Sequence, residues 1–206
     1  MSLTILLIII NVIASIYAWG NTSRMNGWMM NPHAISKKNQ YYRFITSGFV
    51  HRDYIHLIFN MITLYYFGSL VERLFGYFFG GLGTFYYIIL YFASMVVADI
   101  PSYIKFRNYQ GYNSLGASGA VSAVVFSSIL FQPTSGICIY FALCIPAFIF
   151  GLLYLIYSYY QGRRMADNVN HDAHFYGALF GLVFSIAIYP AVIGNFIQQI
   201  RDYNLF

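Results

Sequence analysis

Long apolar runs separated by short polar stretches set the pattern of this chain. No Asp, Glu, Lys or Arg occurs within 54–71, 74–98, 108–162 or 173–200. A helix of roughly 20 apolar residues crosses a bilayer, so each run is long enough for one or two spanning helices. Charges, prolines and polar clusters predict helices at 3–19, 54–74, 75–98, 114–131, 137–159 and 173–193. Glu72-Arg73 closes the second helix, Asp99-Ile100-Pro101 the third and 132–136 the fourth. Pro146 falls inside the fifth, where its missing N–H favours a kink. Between the first two helices, 20–42 is the longest polar segment, yet it keeps Met25, Trp28, Met29 and Met30. That mixture suits a first loop lying in the membrane interface; a plain flexible loop fits it equally. No internal repeat is present, so 1–206 reads as one all-α membrane domain of six helices. The first run has no basic flank and no small-residue cleavage site, and reads as a retained span.

Composition agrees with that reading. The 206 residues are 59% hydrophobic and 8% charged, where a soluble domain carries about 25% charged residues. The net charge of +5 comes from bases in the loops between apolar runs. Anionic lipid headgroups are therefore the expected contact rather than nucleic acid. Cys138 and Cys144 lie six apart in one predicted helix, face different directions, and read as free packing thiols.

The polar residues left inside the apolar runs carry the chemistry, because ionisable groups at membrane depth are costly and usually functional. His56 and Asn60 are four apart and share a helix face. Both offer N–H donors. His174, Gly177 and Gly181 share a face of the sixth helix, and Gly177-xxx-Gly181 allows a neighbouring helix into backbone contact. Gly116, Gly119 and Ala120 supply a matching small surface around Ser118. The expected result is that the fourth and sixth helices pack together with Ser118 near His174. An imidazole beside a serine hydroxyl removes its proton and later returns it to a leaving group. The Ser118 amide, at a helix start, lacks an intrahelical partner. With His56 and Asn60 it would face a developing oxyanion. Asp172 points elsewhere, so a Ser–His dyad is expected rather than a triad. His171-xx-His174 lacks a third ligand at suitable spacing, and no metal or cofactor is expected.

Three ordered motifs resemble the rhomboid family of intramembrane serine proteases. His51 followed five residues later by His56-xxx-Asn60 resembles the second-helix motif. Gly116-Ala117-Ser118-Gly119 resembles the nucleophile motif. Ala173-His174 followed by Gly177-xxx-Gly181 resembles the sixth-helix motif. Tyr42-Arg43 stands where the family has Trp-Arg, and Val71-Glu72-Arg73 with Gly76 resembles the end of its second helix. The likeness runs from about Tyr42 to Gly181.

The resemblance implies a six-transmembrane-helix rhomboid-like bundle with a membrane-embedded first loop, and roles for its residues. Ser118 would be the nucleophile and His174 the base and acid. His56, Asn60 and the Ser118 amide would hold the oxyanion, and His51 would keep the cavity polar and its loop ordered. Phe148 and Phe150 would belong to a substrate gate on the fifth helix. Some relatives stack an aromatic residue, four after the nucleophile, on the histidine. Here Ser122 stands at that position, and Tyr176 or another aromatic would take the task. Substrates would be single-pass transmembrane proteins. The family arrangement puts the active site on the extracytoplasmic side of a bacterial plasma membrane. It leaves nine bases outside and only Arg73 and Arg201 inside, the reverse of what loop charge alone predicts. Two other function classes are a catalytically inactive relative that binds membrane clients, and a small transporter. Both Ser118 and His174 are present, against the first; repeated halves are absent, against the second.

Overall fold

The apolar runs fold as helices around one short, buried helix. The computed structural model describes residues 2–139, 143–164 and 169–203. Helix α1 is Leu3–Trp19. The first loop then forms three short helices, α2 (Thr22–Trp28), α3 (Pro32–Lys38) and α4 (Arg43–Thr46). Helix α5 (Tyr54–Thr63) continues through a π turn at Leu64–Gly68 into α6 (Ser69–Phe79). Helix α7 is Gly83–Phe106 and α8 is Ser118–Phe131. Strands β1 (Gly136–Ile139) and β2 (Leu143–Pro146) form an antiparallel hairpin, followed by α9 (Ala147–Arg164). Helices α10 (His171–Ile188) and α11 (Val192–Arg201) complete the described chain.

Every residue of α8 from Gly119 to Phe131 is buried. At 14 residues it is about 21 Å long, short of the roughly 30 Å hydrocarbon thickness of a bilayer. Its first turn therefore begins inside the bundle, walled by longer helices. The outer faces are apolar: Ile13, Ile16, Phe59, Ile104, Leu152 and Val183 are all more than half exposed. Large apolar surface on every side suits lipid rather than water. By length and composition, the Tyr54–Phe106 stretch and α10 are long enough to cross a membrane; α1 and α8 are apolar but shorter.

Several predicted boundaries move. The second helix runs past 74 to Phe79, because Glu72 does not mark an end. Its carboxylate accepts bonds from the Leu3 and Thr4 amides and from the Ser2 and Thr4 hydroxyls at 2.6–3.0 Å. It thereby caps the start of α1, whose first amides have no helical partner. The chain reverses instead at Gly80, where φ is +56°, and the third helix starts at Gly83 rather than 75. That helix continues through Pro101 to Phe106. Its last turns are held by the buried Ser102 hydroxyl, 3.2 Å from Asn170 Oδ1 and 3.3 Å from the Tyr112 hydroxyl. The sixth helix stops at Ile188 rather than 193, because Pro190 restricts the residue before it.

The fifth predicted helix is corrected most. Residues 136–139 and 143–146 form the β hairpin, and α9 starts only after Pro146 and runs to Arg164. Proline disfavours the helical region for the residue before it, and the flanking isoleucines favour strand. The all-α description therefore gains one hairpin. Pairing sets Cys138 opposite Cys144, Cα–Cα 3.9 Å, and the two form a disulfide. The expectation of free thiols assumed a helix there.

Candidate active site

Gly116 starts the site. Its φ of +119° lies where side chains are strained. A Cβ there would also fall 2.5 Å from His56 Cε1 and 2.7 Å from His56 Nε2. The His56 ring thus rests against the backbone just ahead of Ser118. The Gly116 amide donates to the Ser47 carbonyl at 2.9 Å, and Ser114 exchanges backbone bonds with Met30 at 2.9 and 3.0 Å. The first loop therefore holds the strand-like approach to α8, which begins at Ser118 rather than 114. Buried Arg43 organises that loop by donating to the Asn26 and Met29 carbonyls at 2.8 and 2.7 Å and to Gln40 at 2.7 Å.

His51 is fully buried behind this segment. Its Nε2 accepts the Ala117 amide at 3.3 Å, and its Nδ1 lies 3.0 Å from the Ser15 hydroxyl. That hydroxyl donates its proton to the Phe49 carbonyl at 3.1 Å, so Nδ1 carries the imidazole proton and Ser15 accepts it. Burial, reinforced by nearby His56 and opposed by Asp53, pushes His51 down from 6.5 to about 3. The ring is a neutral bridge between α1 and the approach to Ser118. Asp53 caps α5 through the His56 amide at 2.8 Å. That bond, then Arg52, holds its carboxyl below the usual carboxylate range.

Ser118 is the first residue of α8, where amides lack helical partners. Asn60 is buried one turn after His56 and donates Nδ2–H to the His56 carbonyl at 2.9 Å. An amide nitrogen has a second proton for another acceptor. A cavity of about 20 Å³ adjoins Ser118, with Ser47, Asp99, Ser114 and Asn170 among its lining residues. That is room for about one water between polar walls.

The glycines bring the sixth helix in. A Cβ on Gly177 would collide with the Gly119 carbonyl, and one on Gly181 with the Ala123 carbonyl. Partners advance by four on both helices, so α8 and α10 run parallel in backbone contact. A Cβ on Gly119 would fall 2.8 Å from Ala98 Cβ and 3.5 Å from the Ala173 carbonyl. Residue 173 therefore lies level with Gly119, and His174 sits at the end of α10 beside the start of α8. Ala123 takes the place expected for Gly116 and Ala120 in this seam; Gly116 faces His56 instead.

His171 meets the His174 ring edge-on at 5.8 Å; the ring stacked on it is that of Tyr154, which sequence reasoning missed. Its centroid is 6.4 Å from the imidazole with planes 24° apart, and its hydroxyl is 2.9 Å from Ser122 Oγ. Tyr176 is 40% exposed and its ring meets Phe175. The signal was available: Ala147, Gly151, Tyr154, Ser158 and Gly162 repeat at helical spacing, and all but the half-buried Tyr154 are buried. Phe150 packs on Tyr154 at 5.8 Å, whereas Phe148 packs on Tyr203 at 6.3 Å. Asp172 lies 3.7 Å from the Lys105 ammonium.

A profile described as the Rhomboid domain matches residues 38–191. RHOMBOID-like protein 12, mitochondrial, from Arabidopsis thaliana is 31% identical over 163 residues, which are 73% of this chain and 48% of that protein. Rhomboid protease GlpG from Photorhabdus laumondii is 25% identical over 190 residues, 89% of this chain and 60% of that protein. Rhomboid protease GluP from Bacillus subtilis is 28% identical over 101 residues, 49% of this chain and 18% of that protein. The chain spans about half the length of the curated relatives it matches.

Proposed function

The chain belongs to the rhomboid family, and we propose that it is an intramembrane serine endopeptidase built as a single membrane domain. The six spans are α1, α5 with α6, α7, α8, α9 and α10. Ser118 Oγ attacks the scissile carbonyl while His174 takes the hydroxyl proton and later delivers it to the leaving amine. Negative charge develops on the carbonyl oxygen. The Ser118 amide, the His56 ring and the free Asn60 amide proton are the donors for it. Water then hydrolyses the acyl-enzyme with His174 as base.

The observation that carries this reading is the parallel α8–α10 seam at Gly119/Gly177 and Ala123/Gly181. It sets His174 beside the first turn of α8 while His56 rests on Gly116. The substrates are single-pass transmembrane proteins. Their backbone carbonyls are hidden in helical hydrogen bonds, so the cleaved segment unwinds before attack. The site faces the extracytoplasmic side of a bacterial plasma membrane.

A serine-directed fluorophosphonate tests the dyad. Labelling of the wild type, lost in Ser118→Ala and reduced in His174→Ala, is expected. Equal labelling of all three refutes it. A relative that only holds membrane clients gives no Ser118-dependent label.

A further inference from the structure

We propose that Tyr154 is the positioning residue for His174, supplied by α9 and fixed by Ser122. This rests on His174 being the base of the reading above. Ser122 lies one turn after Ser118, on the same face of α8, and is 5% exposed. A serine carries no ring to set in the space beside the imidazole of α10. Tyr154 fills that space from the third side. Its ring stands 6.4 Å from the imidazole, 24° from parallel, within the range of offset aromatic pairs. Its hydroxyl meets Ser122 Oγ at 2.9 Å. Phe126 of α8 and Phe150 of α9 pin the phenol at 5.6 and 5.8 Å. The Ser122–Tyr154–His174 chain therefore joins three helices one turn below the nucleophile.

The physical need is rotational. The χ2 torsion of histidine is broad, and a base acts only in the rotamer that points its unprotonated nitrogen at the hydroxyl. A flat ring held by a hydrogen bond at one end and by two phenylalanines restricts that rotation. The arrangement also ties the base to a peripheral helix. The buried residues of α9 are Ala147, Gly151, Ser158 and Gly162, while Leu152, Leu153 and Ile156 are more than half exposed. Moving α9 outward breaks the Ser122 bond and the stack together.

The test is the kinetics of fluorophosphonate inactivation in detergent micelles, separating the inactivation rate constant from the inhibitor constant. Tyr154→Leu removes the ring and is expected to lower the rate constant about tenfold to a hundredfold, the range for a displaced catalytic group. The inhibitor constant should not change. Tyr154→Phe keeps the ring and loses one hydrogen bond, expected to cost about fivefold or less. In Tyr154→Leu, adding Ser122→Phe returns an aromatic ring from α8 and should recover most of the rate. If Tyr154→Leu does not fold, Tyr154→Met fills the space without a ring and carries the same expectation.

A wild-type rate constant in the folded ring-deleted variant overturns the proposal, and so do equal losses in Tyr154→Leu and Tyr154→Phe. In both cases Ser118-dependent labelling of the wild type leaves the dyad standing. Wild-type protein with no Ser118-dependent label sinks the dyad reading, and this inference with it.

Discussion

Acid should destabilise this protein through His51, and the size of the effect follows from where the ring sits. His51 is fully buried, its Nε2 accepts the Ala117 amide, and its Nδ1–H meets Ser15. A second ring proton would point at an amide proton and break the link to the approach to Ser118. Burial accordingly holds the imidazole down from 6.5 to about 3. In the unfolded chain the same ring takes its proton as pH falls through about 6.5. Between these values the unfolded state binds more protons, so stability is full above about pH 6.5 and declines as pH falls toward 3. The whole difference corresponds to roughly 5 kcal/mol, of which about 2 kcal/mol is lost by pH 5. In a chain of this size that is a drop of about 4–8 °C in melting temperature. His51→Gln is the comparison. Its amide can accept from Ala117 and donate to Ser15 without titrating. Thermal melts of both proteins in micelles from pH 7.5 to pH 5 share every other titrating group. The wild type should lose about 2 kcal/mol more than the variant. Parallel curves would refute the neutral-bridge account.

Two further substitutions probe the scaffold. Gly181→Ala drives a methyl into the Ala123 carbonyl and should cost about 1–3 kcal/mol as overpacking while slowing Ser118 labelling. Gly194→Ala, with nothing within 4 Å of the added carbon, is the control; equal melting temperatures for the two would contradict the α8–α10 seam. Glu72→Gln removes the charge at the start of α1 and should lower stability by about 1–2 kcal/mol, read as a melting shift with fluorophosphonate labelling preserved.

What could be read in advance was what local spacing encodes. Gly177 and Gly181 stand four apart beside a small surface at Gly119, which marks a close helix pair; the parallel direction and the part of Ala123 come from the structure. Asp53 ahead of Tyr54 is a helix start that needs no tertiary information. The misplaced boundaries share a different physics. Glu72-Arg73 reads as the close of the second helix, yet the Glu72 oxygens bond to α1 about 70 residues earlier. A charge with an internal partner does not mark a helix end, and the glycines at 80, 81 and 83 were the better stop signal. The 137–159 run failed because uniform hydrophobicity carries neither a helical nor a strand period.

Tyr154 combines the two situations. Its register on α9 is local and readable, since it shares a face with Gly151 and Ser158. Its partner is not, because nothing in either segment says that Ser122 and Tyr154 will meet across 32 residues. Even so, Ser122 constrains the answer. A serine one turn beyond a proposed nucleophile leaves a gap in a buried helix packed to normal density, and such gaps are filled. The filler must come from a helix that touches both α8 and α10, and it must be large and flat. On α9, Tyr154 is the large side chain in the row Ala147, Gly151, Tyr154, Ser158 and Gly162, with Phe150 packed on it. A small residue at a position that faces the base is therefore a pointer to a large one on the neighbouring helix.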